Sequence, residues 1–191
     1  MKKHAKTAII NSFKDLMSKQ SMDKITVKKI CEECSVNRQT FYYYFTDIMD
    51  IFKFIIFDEL SREIAQNRTF NTWTGGFLAT MNYLERNSKM ILNIYRSSRW
   101  PEAKHYFSYL SERLLGDVVD ECVEKMRVKL SDKDEAFIIN FYRHVFNGLM
   151  LDWIKEGMEE SPQVILTKLL IMITSEGIPG SIQALINNEQ A

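Results

Sequence analysis

Between Arg38 and Phe45 the chain reads RQTFYYYF, which places a guanidinium, an amide, a hydroxyl and three phenols within one short stretch. Such groups donate to phosphate oxygens and to the edges of bases, so the chemistry on offer is recognition of a polyanion rather than bond making. At helical spacing Phe41 and Phe45 lie one turn apart and are buried together, which leaves Arg38, Gln39, Thr40, Tyr42 and Tyr43 outward. Asn37 precedes the run, and its side-chain oxygen suits the free amides of a helix start, where the helix dipole also favours an anion.

A second short helix must hold this one in place. Thr26 caps it, and its apolar positions Val27, Ile30, Cys31 and Cys34 recur at three- and four-residue intervals on one buried face. Ser35, Val36 and Asn37 break the pattern, with Val36 plugging the turn. The result is a helix-turn-helix over Ile25 to Phe45. In front of it Ala5, Ala8, Ile9, Phe13, Leu16 and Met17 form one face of an amphipathic helix.

The segment ITVKKICEECSVNRQTFYYYF resembles the DNA-binding signature of the TetR-type bacterial regulators, with the flanking helices taken from Ala5 to Phe57. The resemblance implies that Thr26 and Lys28 approach backbone phosphate, that Arg38, Gln39 and Thr40 face the major groove, and that Tyr42 and Tyr43 contact phosphate or bases. Asn37 joins this candidate set. Two positions depart from the family pattern. Ser35 stands where the turn usually carries Gly, which places a side chain in an awkward backbone conformation. Ile48 stands where the family commonly sets a basic residue against a phosphate, which predicts weaker and less salt-sensitive DNA binding. Lys53 would compensate only if it points at the DNA.

Composition fits a two-part molecule. With 191 residues and 46% hydrophobic content the chain can bury a full core. The formal net charge of zero hides an asymmetry, because residues 1–46 carry nine Lys or Arg against four Asp or Glu and residues 47–191 carry sixteen against twenty-one. Taken alone the early lysines read as a solvated face; beside the helix-turn-helix they read as the electrostatic part of a DNA head. The expected division is therefore 1–46 for DNA binding and 47–191 for regulation and dimerisation.

Several function classes are disfavoured. The longest apolar runs, Ile51 to Phe57 and Val164 to Ile173, are short and interrupted by Lys53 and Lys168, so a cytoplasmic protein with no membrane partner is expected. Cys31 and Cys34 form a C-x-x-C, but His4, His105 and His144 are scattered, so two small buried side chains are preferred over a metal site or a redox switch. No cofactor and no metal are expected. No nucleophile with its base, phosphate loop or paired-carboxylate cleft is evident, which argues against an enzyme.

The remainder predicts further helices and no strand: about 47–66, 75–87, 88–95, 104–127 behind Pro101, 133–156 ended by Gly157, and 162–175, followed by a break at 176–180 and a short last helix or tail. The fold class is thus all-α, a three-helix head on a larger helical body, about nine helices in total. Phe137, Phe141, Val145 and Leu149 on one late helix and Leu166, Leu169, Leu170 and Ile173 on the next exceed what one buried face needs. A four-helix interface between two copies is preferred over a wholly intramolecular core, and a homodimer suits a palindromic operator on double-stranded DNA.

Tyr83, Tyr95, Trp100, Phe107, Tyr142 and His144 are amphipathic groups that could line an effector cavity, with a plain aromatic core as the alternative. The family resemblance implies a body that senses a small molecule; a transcriptional repressor is expected ahead of an activator, although operator position, which no residue encodes, decides between them. RQTFYYYF together with Phe146 to Ile154 also resembles a subgroup of activators of dihydroxyacetone-kinase operons, which implies the alternative of a protein partner as effector. A deep cavity would favour the small molecule, and a filled core with an exposed apolar patch the protein.

Overall fold

The computed structural model describes residues 2–65, 67, 69 and 71–174; the expected helix end at Gln66 and everything from Ser175 onward lie outside them. The described residues form nine helices and no strand. In the head, α1 (Lys2–Lys19) is followed by a 3-10 turn (Met22–Lys24), α2 (Val27–Glu33) and α3 (Arg38–Tyr44). The fourth helix, α4, starts as Ile48–Ile55, passes through a π-helical turn at Ile56–Leu60 and ends as Ser61–Glu63. In the body, α5 (Trp73–Arg86), α6 (Ser88–Tyr95), α7 (Trp100–Met126), α8 (Asp132–Lys155) and α9 (Pro162–Thr174) complete the chain.

Local chemistry sets most of these bounds. Side chains of Thr26, Asn37, Asp47 and Ser131 accept from the third residue beyond them, which satisfies one open amide at the start of α2, α3, α4 and α8. Pro101 sits in the first turn of α7, where its missing N–H costs nothing. That helix begins four residues before the expected Lys104. It ends on Arg127, whose left-handed φ of 54° closes the last turn. Gly157, with φ 84°, ends α8 as expected.

Glycine pairing at 75–76 does not delay α5, which already starts at Trp73. Gly76 is needed there because a Cβ would come within 2.5 Å of the Asn67 carbonyl oxygen, so the connection from α4 packs directly on the helix backbone.

One continuous core runs from Ile9 and Phe13 through Phe41, Phe52 and Ile55 to Met81, Ile94, Phe107, Trp153 and Leu169. Since α4 contributes to it along most of its length, head and body share one packed interior and cannot move independently without repacking. No helix among the described residues is long and apolar enough to cross a membrane.

Candidate functional site

Beneath α3, Phe41 is fully buried and Phe45 nearly so, with ring centroids 6.2 Å apart. That anchor turns the opposite face outward: Tyr42 is 57% and Tyr43 67% exposed, Arg38 and Gln39 are exposed, and Thr40 is half-buried. Tyr42 touches the buried Phe41 ring edge-on at 5.4 Å, yet phenols so largely exposed on a rigid helix are shaped for contact with another molecule. Thr26 and Asn37 also lie at the surface, but their side-chain acceptors are committed to capping, at 3.2 Å from the Lys29 N–H and 2.7 Å from the Thr40 N–H. Lys28 is exposed and lies 3.7 Å from Glu32, a surface pair of little energetic weight.

Ser35 holds the turn with φ 53°, the left-handed conformation that glycine adopts without strain. At the start of α4, Asp47 accepts from the Asp50 N–H at 2.9 Å and Asp50 accepts from the Thr46 N–H at 3.0 Å. Two carboxylates therefore occupy a helix N-terminus that would otherwise attract an anion. Lys53 does not replace the basic residue missing at Ile48. Its ammonium lies 6.0 Å from the Tyr106 ring centroid on α7, because its place on α4 turns it toward the body. The Tyr106 phenol is pushed up to about 12 by burial and by its hydrogen bond to Glu102.

Polar anchors join head to body. Glu59, inside the π-turn, lies 2.6 Å from Lys14 Nζ on α1 and accepts from the Tyr83 hydroxyl of α5 at 2.9 Å. Burial and that carboxylate keep the Tyr83 phenol protonated. Asn93 Nδ2 also donates to the Met17 carbonyl of α1 at 2.7 Å. The cysteines take no part: Cys31 is buried, Cys34 half-buried, and burial pushes both thiols up, away from the reactive thiolate.

A buried aromatic pair under an exposed R-Q-T-x-Y-Y helix, entered through a capped turn, is the arrangement of a DNA-reading head. Residues 9–54 match the family described as "Bacterial regulatory proteins, tetR family", and residues 71–175 match "Transcriptional regulator C-terminal region". The chain belongs to the TetR family. It is a transcriptional regulator rather than an enzyme. It is 28% identical over 133 residues, 70% of either chain, to the "HTH-type dhaKLM operon transcriptional activator DhaS" of Lactococcus lactis subsp. lactis (strain IL1403). Its fold is similar to that of the solved "Dihydroxyacetone kinase operon activator DhaS", with a TM-score of 0.67 and 24% identity over 86% of this chain and 91% of that one.

In this TetR-family body the expected effector residues do not gather around one space. Tyr95, Trp100 and Phe107 pack on one another and, through Phe107, on Phe52, forming solid core between α4, α6 and α7. Tyr83 is buried on Glu59, and His144 lies on the outer side of α8 with Nδ1 2.6 Å from the Asn140 carbonyl. Tyr142 borders a cavity of about 390 Å³ between α7 and α8, whereas His144 borders an open surface groove with Phe137, Asn140, Phe141 and Val145. A lobe of about 80 Å³ adjoins it toward α5 and shares Trp73, Leu115, Val118 and Phe146. Sequence reading missed these four because no local pattern separates an aromatic or Val beside a gap from one inside a filled core.

The expected interface residues also divide. Phe137 is 72% and Phe141 56% exposed, and Leu149 and Ile173 are exposed as well. Leu166 and Leu169 are corrected: both are buried within the protomer, on the side of α9 that packs against α5. Val145 and Leu170 are half-buried against the same core. Val164 and Met172 are exposed on α9 in their place.

Proposed function

We propose that the chain is a homodimeric, sequence-specific DNA-binding regulator that works in the cytoplasm, with residues 1–46 as its DNA head and 47–191 as its regulatory and dimerisation body. The observation that carries this reading is the α3 surface, where Arg38, Gln39, Tyr42 and Tyr43 stand exposed over the buried Phe41 and Phe45. Arg38, Gln39 and Thr40 read base edges in the major groove, and Tyr42, Tyr43, Lys28 and the amides at the capped starts Thr26 and Asn37 hold phosphates.

Exposed Phe137, Phe141 and Leu149 on α8 and Val164, Met172 and Ile173 on α9 support pairing with a second copy about a two-fold axis. A two-fold protein matches a palindromic operator. With that patch given to the second copy, the cavity supports a small molecule as effector rather than a protein partner. The relative's printed name, an operon activator, favours activation over the repression expected from sequence.

The test is fluorescence anisotropy of the full chain on duplex DNA from upstream of its own gene, in a salt series, beside Tyr42→Ala. Saturable binding by two chains per site, weakened at least tenfold in Tyr42→Ala, is the expected result. Equal binding by the variant would overturn the α3 assignment.

A further inference from the structure

Among the described residues, the two lobes between α5, α7 and α8 are bordered by no Asp, Glu, Lys, Arg or His. Ion pairs do exist close by, since Arg143 reaches Glu112 at 3.3 Å and Ser108 at 3.0 Å, but neither Arg143 nor Glu112 borders the space. A carboxylate or phosphate entering it would lose its hydration and meet no cation among the described lining residues, which is costly for a buried charge. What the walls offer is flat and apolar. The rings of Trp73 and Phe146 stack at 5.6 Å and 14°, and Phe77 leans on the same phenylalanine. Met81 and Met126, flexible and polarisable, border the two lobes.

Apart from the Tyr142 phenol and the Trp73 indole, the polar side chains gather at one end. Ser111 Oγ lies 2.9 Å from the Phe107 carbonyl and 2.7 Å from Asn147 Oδ1. One hydroxyl carries one proton and cannot donate to two oxygens, so both contacts are satisfied only with the Asn147 amide turned end for end, Ser111 donating to the carbonyl and the Asn147 NH2 donating to Oγ. That orientation leaves the Asn147 amide oxygen as an acceptor at the small lobe, with the Thr80 and Asn67 side chains on the same rim.

Resting on the effector reading above, we propose that this cavity binds an uncharged aromatic molecule carrying one hydrogen-bond donor, its ring against Trp73 and Phe146 and its donor toward Asn147. A volume of about 390 Å³ in the larger lobe suits a compact ring system, and the described lining supplies no charge to pair with a phosphorylated or carboxylated metabolite. The position is also suited to control. Ile64, directly beyond the end of α4, and Met81, two residues before Tyr83, border the small lobe, so occupancy bears on the Tyr83, Glu59 and Lys14 contacts that reach the head.

Calorimetric titration of the full chain with naphthalene, 1-naphthol and 1-naphthoate, which share a ring and differ in polar end, tests the assignment. One 1-naphthol per chain, bound at least tenfold more tightly than 1-naphthoate and more tightly than naphthalene, is expected. Val118→Trp fills the space common to both lobes and lowers 1-naphthol affinity at least tenfold, with circular dichroism reporting the fold. Asn147→Leu, close to isosteric, brings 1-naphthol down to the affinity of naphthalene. The proposal is overturned if 1-naphthoate binds as tightly as 1-naphthol, if no neutral ring binds, or if Asn147→Leu leaves the preference for 1-naphthol intact.

Anisotropy on operator DNA with each compound separates this idea from effector control itself. 1-Naphthol that binds without changing DNA affinity supports the cavity's preference and removes the control. 1-Naphthoate that binds best and changes DNA affinity removes the preference and supports the control.

Discussion

Asp23 and Ser98 are 75 residues apart in sequence, and the Asp23 carboxylate accepts from both the backbone N–H of Ser98, at 3.1 Å, and its hydroxyl, at 2.6 Å. The pair fastens the turn before α2 to the segment between α6 and α7, and with the Asn93 to Met17 bond it holds the head against the body in addition to the Glu59 contacts. The orientation of the DNA head is thus set by the body at two places.

Hydrogen bonds from Ser98 hold the Asp23 carboxyl below its ordinary value of 3.8. A carboxyl with a depressed folded pKa contributes stability that is complete above the unfolded value and disappears as pH falls through the folded one. Hydrogen exchange at the Ser98 amide should therefore be constant from pH 5 to 8, after correction for intrinsic rates, and lose protection only in acid below about 4. Asp23→Ala should show the acid-like exchange at neutral pH.

Ser35→Gly should stabilise the head. A non-glycine residue in the left-handed conformation costs about 1 kcal/mol, and φ at Ser35 is 53°. Thermal unfolding should shift upward by about 2–4 °C. Phe41→Ala should act oppositely, by about 3–5 kcal/mol, since the ring is fully buried. An unchanged melting temperature in either variant would contradict the turn or the anchor described here.

Ile48→Lys should strengthen DNA binding. Position 48 lies at the first turn of α4 beside the Asp47 and Asp50 caps, where the half-buried Ile48 carries no charge. One added phosphate contact raises the slope of log affinity against log salt by about one unit. A salt series by anisotropy reads this directly, and an unchanged slope would place residue 48 away from the DNA.

Phe141→Glu should convert the dimer to a monomer in sedimentation velocity while leaving the helical circular dichroism intact. The ring is 56% exposed in the protomer, so its loss leaves no cavity, whereas a carboxylate at an apolar interface is uncompensated. Leu169→Glu, by contrast, should unfold the body, because Leu169 is 3% exposed. A Phe141→Glu chain that remains dimeric would move the interface elsewhere.

The sequence by itself determined the head. Capping by Thr26, Asn37 and Asp47 and the one-turn spacing of Phe41 and Phe45 are local relations, fixed by helix geometry over three or four residues. The same locality made the helices of the body legible to within a few residues, apart from the early starts of α5 and α7. Only the tertiary structure decided which apolar side chains border empty space, because Trp73, Val118 and Phe146 meet across gaps of tens of residues and a void leaves no pattern in the chain. Packing of α9 on α5 likewise withdrew Leu166 and Leu169 from the surface, and the path of α4 turned Lys53 toward Tyr106. An amphipathic helix declares that it has an apolar face; which neighbour covers that face, and how completely, is settled by long-range packing alone.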